Sequence, residues 1–171
     1  NPKHKDIPFE DYNPGDKKVP YRVIKEIKGA DLEGIRYEQL VPWIKPMGDA
    51  FRVIVADYVT TDDGTGIVHI APTCGADDAR EGQRSGISPL YLIDKEGAKR
   101  PMVDLQGRFF RIEDLDETFV KDYVNTDLFG EYAGRYVKNE YNESASEDDP
   151  VLDIDLAVMF KKNNQAFKVE K

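Results

Sequence analysis

The chain has 171 residues, of which 24 are Lys or Arg and 33 are Asp or Glu, so its net charge is −9. This length favours one domain that buries about 70% of its unfolded surface, and the acidic balance argues against a domain that grips nucleic acid on its own. The single cysteine excludes an internal disulfide. With no apolar run near the ~20 residues of a membrane span and no visible targeting segment, the chain is expected to be cytoplasmic.

The first half of the chain carries strand-like patterns. Residues 1–19, rich in Pro, Lys and Asp, are predicted to form an extended arm or hairpin remnant before one domain at residues 20–171. Alternating or β-branched apolar residues predict strands at 20–28, 51–59 and 67–72. The glycines of the turn at 62–66 permit positive φ. The missing initiator Met leads us to expect a piece of a longer chain.

The second half mixes helices with short strands. We predict a helix at 77–85 ending before Gly86, a strand at 89–93 and a turn at 94–97. A second helix is predicted to start at Asp114, with Glu117 as its capping-box partner.

Two elements are predicted near the end of the chain. A helix beginning at Pro150 is expected to be broadly apolar and well buried, because apolar residues fall on two neighbouring faces. A short strand is predicted at 166–169. The whole pattern predicts a mainly β, α+β fold: a closed or partly open β-barrel core with peripheral helices.

Residues 64–78 hold the most informative sequence. They are predicted to form a turn, a strand, a proline-terminated loop and a helix start. This order brings His69, at a strand end, close to a helix N-terminus that carries Asp77 and Asp78. Free backbone N–H groups at a helix start, facing a strand end, are a common setting for a pocket.

Each of these residues also has a purely structural interpretation. His69 can be a core-edge histidine bonded to the backbone, and the two aspartates can simply satisfy the helix dipole. Cys74 fits a small buried hydrophobe better than a nucleophile. Turn formation is the ordinary explanation for Thr60, Thr61 and Thr65. The sequence has no dinucleotide fingerprint, phosphate-binding loop, zinc-spaced Cys/His set or calcium loop.

The same stretch resembles a known family. The pattern Gly64-Thr65-Gly66-Ile67-Val68-His69-x-Ala71-Pro72-x-x-Gly75-x-Asp77-Asp78 is similar to the editing-domain (connective-peptide) signature of isoleucyl-tRNA synthetases, in the class I aminoacyl-tRNA synthetase family. Segments 32–42 and 153–171 extend the resemblance over nearly the whole chain. His69 with Gly75 and the two aspartates favours the isoleucyl members over valyl and leucyl relatives.

The resemblance implies hydrolytic proofreading. One methylene separates isoleucine from valine by only ~1–3 kcal/mol, so such enzymes clear valyl-tRNA(Ile) and valyl-adenylate at a second site. It implies that Asp78 is the catalytic residue and holds the substrate α-ammonium group. His69 lines the side-chain pocket, and the remaining substrate-binding positions are Gly66, Ala71, Pro72 and Gly75. A positioned water is the nucleophile, and no metal or cofactor is implied for this piece; the parent enzyme uses ATP and Mg.

The sequence also departs from the family pattern. The threonine-rich strand expected upstream is absent, so no residue here inherits its contacts, and an unpaired barrel edge open to a partner chain is predicted. The aminoacylation signatures are absent too, so the chain is not expected to activate isoleucine.

The implied partners are the aminoacylated 3′ end of tRNA(Ile), valyl-adenylate and the rest of the synthetase in cis, with no membrane and no autonomous nucleic-acid grip. The alternatives are a non-catalytic module that docks the tRNA 3′ end or a neighbouring domain, and an unrelated small-molecule binder.

Overall fold

Regular secondary structure is concentrated in the second half of the molecule. The computed structural model describes residues 7–62, 65–146, 149 and 152–166. The α-helices in these ranges are α1 (Ala76–Arg84), α2 (Glu117–Tyr123), α3 (Thr126–Phe129) and α4 (Leu152–Lys162). Strands β1 (Leu92–Ile93) and β2 (Lys99–Arg100) pair antiparallel. Short 3-10 turns occupy Phe9–Asp11, Gly29–Leu32, Ile112–Asp114 and Asn139–Tyr141.

An aromatic cluster around Trp43 forms the centre of the core. The Trp43 ring stacks on Tyr132 with centroids 4.5 Å apart, and it meets Phe109 at 5.5 Å and Phe129 at 5.8 Å. Tilted, stacked and edge-to-face pairs of this kind add to the energy of burial. The buried apolar residues of the described ranges are Trp43, Ile44, Leu92, Leu115, Phe119, Phe129, Tyr132 and Leu152. The core therefore belongs mainly to residues 92–152.

Residues 43–45 reach this core from the first half of the chain. They lie beside the short connection between α2 and α3. The Asn125 N–H donates to the Trp43 carbonyl at 2.7 Å, and the Lys45 N–H donates to the Tyr123 carbonyl at 2.8 Å. Two backbone bonds and a buried indole thus fix this segment to the second half.

The predicted β-barrel was wrong. In the described residues the fold contains four α-helices and one sheet of two short antiparallel strands, which does not close. The predicted strands at 20–28, 51–59 and 67–72 form no ladder; only an isolated bridge joins Arg36 to Arg52. Ile24 and Ile67 in these segments are 87% and 67% exposed. A β-branched sequence forms a strand only where it pairs with a neighbouring strand, and none lies beside these segments in the described ranges.

The helix predictions met mixed outcomes. Helix α1 confirms the prediction at 77–85 to within one residue at each end, and Gly86 beyond it has φ +68°. The cap predicted for α2 was wrong by two residues. Asp116 caps the helix by accepting from the Phe119 N–H at 2.8 Å, while Asp114 ends a 3-10 turn.

Helix α4 is buried on one face only. Leu152 is buried, and Leu156 and Met159 pack against the core. Ile154 and Val158, on the neighbouring face, are 59% and 42% exposed. The prediction of a broadly buried helix was therefore wrong. The predicted helix start at Pro150 and most of the final strand, 167–169, lie outside the described residues.

Two Asp-x-x-Gly sequences form turns of the same geometry, here named turn 1 (94–98) and turn 2 (104–108). In both, the glycine N–H donates to the aspartate carbonyl, at 2.9 and 3.1 Å, and the aspartate N–H donates to the carbonyl four residues on, at 3.0 and 2.7 Å. Gly97 and Gly107 have φ of +79° and +78°. This is the hairpin turn that needs a glycine in the left-handed region. Turn 1 confirms the predicted turn at 94–97.

Of the helices in the described residues, none is both long and apolar enough to span a membrane.

Candidate functional site

The Asp78 carboxylate ties the loop before α1 to the first turn of that helix. Its Oδ2 atom accepts from the Ala71 N–H at 2.9 Å. The Ala71 carbonyl in turn accepts from the Cys74 N–H at 2.8 Å and the Gly75 N–H at 3.2 Å. No described residue forms a hydrogen bond or an ion pair with the Oδ1 atom of Asp78. The half-buried carboxylate therefore keeps one oxygen available as an acceptor.

Two small residues let the loop lie close to the helix. Gly75 precedes α1, and a Cβ there would lie 3.0 Å from Asp78 Oδ2. Gly82 is buried in α1, and a Cβ there would lie 3.0 Å from Pro72 Cγ. Pro72 and Gly75, both predicted as site residues, thus set the position of the loop relative to Asp78.

His69 lies close to this loop along the chain but is exposed to solvent. It stands two residues before Ala71, so their Cα atoms are at most about 7 Å apart. The neighbouring Val68 is 56% exposed. The described structure therefore gives His69 no contact with Asp78 and no enclosed pocket; its link to that carboxylate is the short chain distance to Ala71.

Gly66 and its threonine neighbours form a local turn. Gly66 has φ +73°, and a Cβ there would lie 3.0 Å from the Thr61 methyl carbon. The Thr65 hydroxyl accepts from the Ile67 N–H at 3.3 Å and donates to the Ile67 carbonyl at 3.1 Å. The turn predicted at 62–66 falls partly outside the described residues. Cys74 is exposed, so the expectation that it is a small buried hydrophobe was wrong.

The first turns of α1 are acidic, and Asp78 differs from the neighbouring carboxylates in its ion pairing. Asp77 pairs with Arg80, and Glu81 pairs with Arg84 at 2.6 Å. Asp78 forms no ion pair with any residue in the described ranges. Of these carboxylates it is therefore the one best placed to receive an external cation.

Tyr58 is a residue of this neighbourhood that the sequence did not reveal. Burial raises the pKa of its phenol, and the negative charges of Asp78, Glu81 and Asp77 raise that pKa further. The phenol therefore stays protonated and lies in the field of the acidic helix start. An isolated tyrosine in a strand-like segment gives no motif by which this could be found.

An arginine network anchors the other end of α1. The Arg84 guanidinium donates to the Val55 carbonyl at 2.9 Å, and Arg52 donates to the Ser85 carbonyl beyond the last turn. Asp49 joins Arg52 and Arg36 at 2.7 and 2.6 Å, and hydrogen bonds from Arg52 first and then Arg36 lower the pKa of its carboxyl. Cations near a helix C-terminus interact favourably with the helix dipole and so stabilise the helix.

A cleft of about 560 Å³ lies elsewhere on the molecule, and its lining comes from residues between Asp94 and Asp114. In the described part of the chain no group of three or more His, Cys, Asp or Glu could hold a metal ion.

No protein-family model matches the chain. Over all 171 residues it is 58% identical to an isoleucine–tRNA ligase of Bacteroides fragilis. It is 56% identical to that of Porphyromonas gingivalis over 160 residues, which are 94% of this chain and 14% of the relative. It is 44% identical to that of Cytophaga hutchinsonii over 170 residues, 99% of this chain and 15% of the relative.

The chain thus spans about 15% of the length of the curated relatives that it matches. The region of similarity includes both the stretch around His69 and Asp78 and the helical core of the second half. From one end to the other, the chain is similar to a single segment of isoleucine–tRNA ligases.

Proposed function

We propose that this chain is part of the editing domain of an isoleucine–tRNA ligase and takes part in hydrolysing valyl-tRNA(Ile) and valyl-adenylate. The observation that carries the proposal is the Asp78 carboxylate, which lies in the motif at 64–78 that resembles the editing signature. Its Oδ2 atom accepts from the Ala71 N–H, and its Oδ1 atom has no hydrogen-bond partner among the described residues. Similarity to isoleucine–tRNA ligases along the whole chain supports it.

In this proposal Asp78 binds the α-ammonium group of the valyl moiety. A carboxylate oxygen accepts charge-assisted hydrogen bonds from an ammonium more strongly than from a neutral donor. The bond from the Ala71 N–H fixes the carboxylate, so little side-chain freedom is lost when substrate binds. A water held beside the ester is the nucleophile, positioned by the site and by the substrate's own ribose hydroxyl. No covalent intermediate forms.

The other predicted residues shape the site. Gly66 provides a turn in the left-handed region, and Ala71, Pro72 and Gly75 form the loop on which Asp78 rests. His69 limits the size of the accepted side chain, so that valine enters and isoleucine does not.

The experiment replaces Asp78 in an isoleucine–tRNA ligase that contains this segment. Asp78→Asn removes the charge but keeps an oxygen to accept from Ala71, so the loop is retained. We expect clearance of valyl-tRNA to slow about ten- to hundredfold, as for loss of a charged hydrogen bond, while isoleucine activation is unchanged.

Asp77→Asn is the matched control, because Asp77 is the adjacent helix residue and pairs only with Arg80 among the described residues. It should clear valyl-tRNA at the wild-type rate. Normal clearance by Asp78→Asn, or equal loss in both variants, would contradict the assignment of Asp78.

The exposure of His69 favours one alternative, a non-catalytic module that docks the tRNA 3′ end or a neighbouring synthetase domain. That function requires an accessible surface but no enclosed pocket. Under this alternative, Asp78→Asn weakens binding of uncharged and valyl-tRNA equally and leaves the rate of hydrolysis of bound valyl-tRNA unchanged.

We further propose that the rest of the ligase packs against the first half of this chain in cis. The chain exposes 13161 Å², whereas a compact monomer of its mass exposes about 8,500 Å². Several exposed large apolar residues of the described ranges lie in the first half of the chain, including Val23, Ile24, Tyr37, Leu40, Ile67 and Val68.

A further inference from the structure

Helix α1 carries Asp78 but has no apolar face that could fix it in the core. Apart from Ala76, Ala79 and Gly82, every position in the helix is charged or polar, and within α1 only Gly82 is buried. A helix of nine residues is marginal by itself. Its position therefore depends on polar contacts and on the loop at 71–75.

Arg52 bonds the end of α1 to the first half of the chain. Its Nη2 group donates to the carbonyl of Ser85, the residue that follows the helix, and its Nε group donates to Asp49 at 2.7 Å. Carbonyls at a helix C-terminus have no partner inside the helix, so this bond supplies one. Because the planar guanidinium bonds two elements at once, it fixes the place of one relative to the other.

The residues around Asp49 support this contact. The Asp49 carboxylate also accepts from Arg36 at 2.6 Å, and the Asp49 carbonyl accepts from the Ser88 N–H at 2.6 Å. The Val53 N–H donates to the Ile35 carbonyl at 2.8 Å. The segment that holds the helix end is thus tied both to residues before it and to the chain that leaves α1.

A second arginine contact acts in the same direction. Arg84, in the last turn of α1, donates to the Val55 carbonyl at 2.9 Å and is paired with Glu81 at 2.6 Å. The Arg52 side chain is 20% exposed and that of Arg84 is 55% exposed. Solvent therefore screens the contact of Arg52 less, and we expect it to be the stronger of the two.

The start of the helix requires this placement. Asp78 lies in the first turn, and its Oδ2 atom accepts from the Ala71 N–H at 2.9 Å. Hydrogen bonds of this kind form at about 2.7–3.2 Å, so a small displacement breaks them. Because the hydrogen-bonded helix moves as one unit, a shift at Ser85 changes the distance between Asp78 and Ala71.

We propose that Arg52 is a positioning residue for Asp78. By bonding Asp49 and the Ser85 carbonyl together, it holds α1 where the Asp78 carboxylate meets the Ala71 N–H and keeps its other oxygen available to substrate. Arg52 acts through the helix and not on the substrate, and this role rests on the proposed function of Asp78.

The first test measures clearance of valyl-tRNA by an isoleucine–tRNA ligase that contains this segment. Arg52→Gln should lower kcat/KM for clearance about tenfold with isoleucine activation unchanged, since a small misplacement of a binding group is costly. Arg52→Lys keeps the charge but not the planar fork, so it should restore less than about half of the lost rate. Added to Asp78→Asn, Arg52→Gln should cause less than about a twofold further loss, because both act at one carboxylate.

The second test follows hydrogen exchange of the Ala71 amide in the 171-residue chain by NMR. Arg52→Gln should speed this exchange about tenfold, because the bond to Asp78 opens more often. Asp49→Asn keeps an acceptor oxygen for Arg52, so it is the milder variant and should change exchange in the same direction. Thermal unfolding checks that both variants fold.

Arg80→Gln is the matched control for both tests, because Arg80 lies on α1, is exposed and pairs only with Asp77 among the described residues. It should behave like the unmodified protein. The proposal is overturned if Arg52→Gln equals Arg80→Gln in both tests, if Arg52→Lys restores the full rate, or if the losses in the double variant multiply. Normal clearance by Asp78→Asn would instead refute the function of Asp78, and exchange of the Ala71 amide would still report whether Arg52 positions that carboxylate.

Discussion

At the scale of single residues, two aspartates differ in how much of their hydrogen-bonding capacity is used inside the protein. Asp94 is buried and accepts from the Glu96 N–H at 3.1 Å, the Ala98 N–H at 2.7 Å and Arg100 at 2.6 Å. Its acceptor capacity is largely used inside the protein. Asp78 accepts one backbone bond, from Ala71, among the described residues, so it can bind something else.

His69→Ala tests the size filter that we propose. In an isoleucine–tRNA ligase with this segment, we expect the variant to hydrolyse isoleucyl-tRNA about tenfold faster or more, because one methylene is worth ~1–3 kcal/mol. Deacylation of isoleucyl-tRNA and valyl-tRNA by the purified enzymes measures this. Val68→Ala, at the exposed neighbour, is the control, and unchanged discrimination by His69→Ala would remove His69 from selectivity.

Asp94 gives the chain an acid-sensitive contact. The hydrogen bond from Arg100, and then that from the Ala98 N–H, lower the pKa of its carboxyl below the ordinary value. The folded pKa therefore lies below the unfolded value of about 3.9. The contact stabilises the fold above the unfolded pKa and is lost as pH falls through the folded pKa.

We expect Asp94→Asn to lower the free energy of unfolding at pH 7, with a deficit that shrinks below about pH 4. Urea denaturation of the chain and variant at several pH values measures this. Asp122→Asn, at an exposed site on α2, should have little effect at any pH. If the deficit stays the same down to the lowest pH measured, the negative charge of Asp94 does not contribute to the free energy of unfolding.

At the scale of elements, turns 1 and 2 share a backbone but differ in surroundings. A Cβ on Gly97 meets nothing within 4 Å. A Cβ on Gly107 would lie 2.8 Å from the Cγ atom of Tyr141. The positive φ makes glycine the favoured residue in both turns, but only turn 2 also needs the absence of a side chain for packing.

This difference makes the two glycines a matched pair. Gly97→Ala should cost about 1–2 kcal/mol, because alanine is strained in the left-handed region. Gly107→Ala should cost roughly 1–3 kcal/mol more, because the Tyr141 ring must move as well. Chemical denaturation measures both values. Combining Gly107→Ala with Tyr141→Ala should recover the excess, and equal costs in the two single variants would refute the packing argument.

At the scale of the whole molecule, the two halves of the chain differ in how they are held. The second half has the buried core, whereas the segments at 20–28 and 51–70 contribute exposed apolar side chains and few backbone bonds among the described residues. The inserted Trp43 connects the halves by stacking on Tyr132, while Arg84 ties the Val55 carbonyl to the end of α1. A surface of this kind is typical of a polypeptide that completes its packing against other chain segments.

Hydrogen exchange tests this packing. The amides of residues 53–59 and 67–70 should exchange at least about tenfold more slowly in an isoleucine–tRNA ligase with this segment than in the chain alone, because a packed neighbour protects them. Amides of residues 115–132, within the core, serve as the internal reference and should change little. Equal exchange of the first group in both proteins would contradict docking in cis.

The sequence by itself determined the features that depend on neighbours along the chain. Helix α1 with Gly86 and turn 1 follow from helix-end signals and turn glycines. The sequence also placed Asp78 in the first turn of α1, where the structure has it. Turn 2 carries the same signal as turn 1, although only turn 1 was predicted. These features are local because each hydrogen bond spans a few residues.

Only the tertiary structure decided the features that depend on distant partners. The segments at 20–28, 51–59 and 67–72 have the composition of strands, yet no neighbouring strand lies beside them in the described structure, so no barrel forms. The link between Arg52 and the end of α1 and the stacking of Trp43 on Tyr132 join residues far apart in sequence. A strand requires a partner and a core requires a complementary surface, and neither is written in the segment itself.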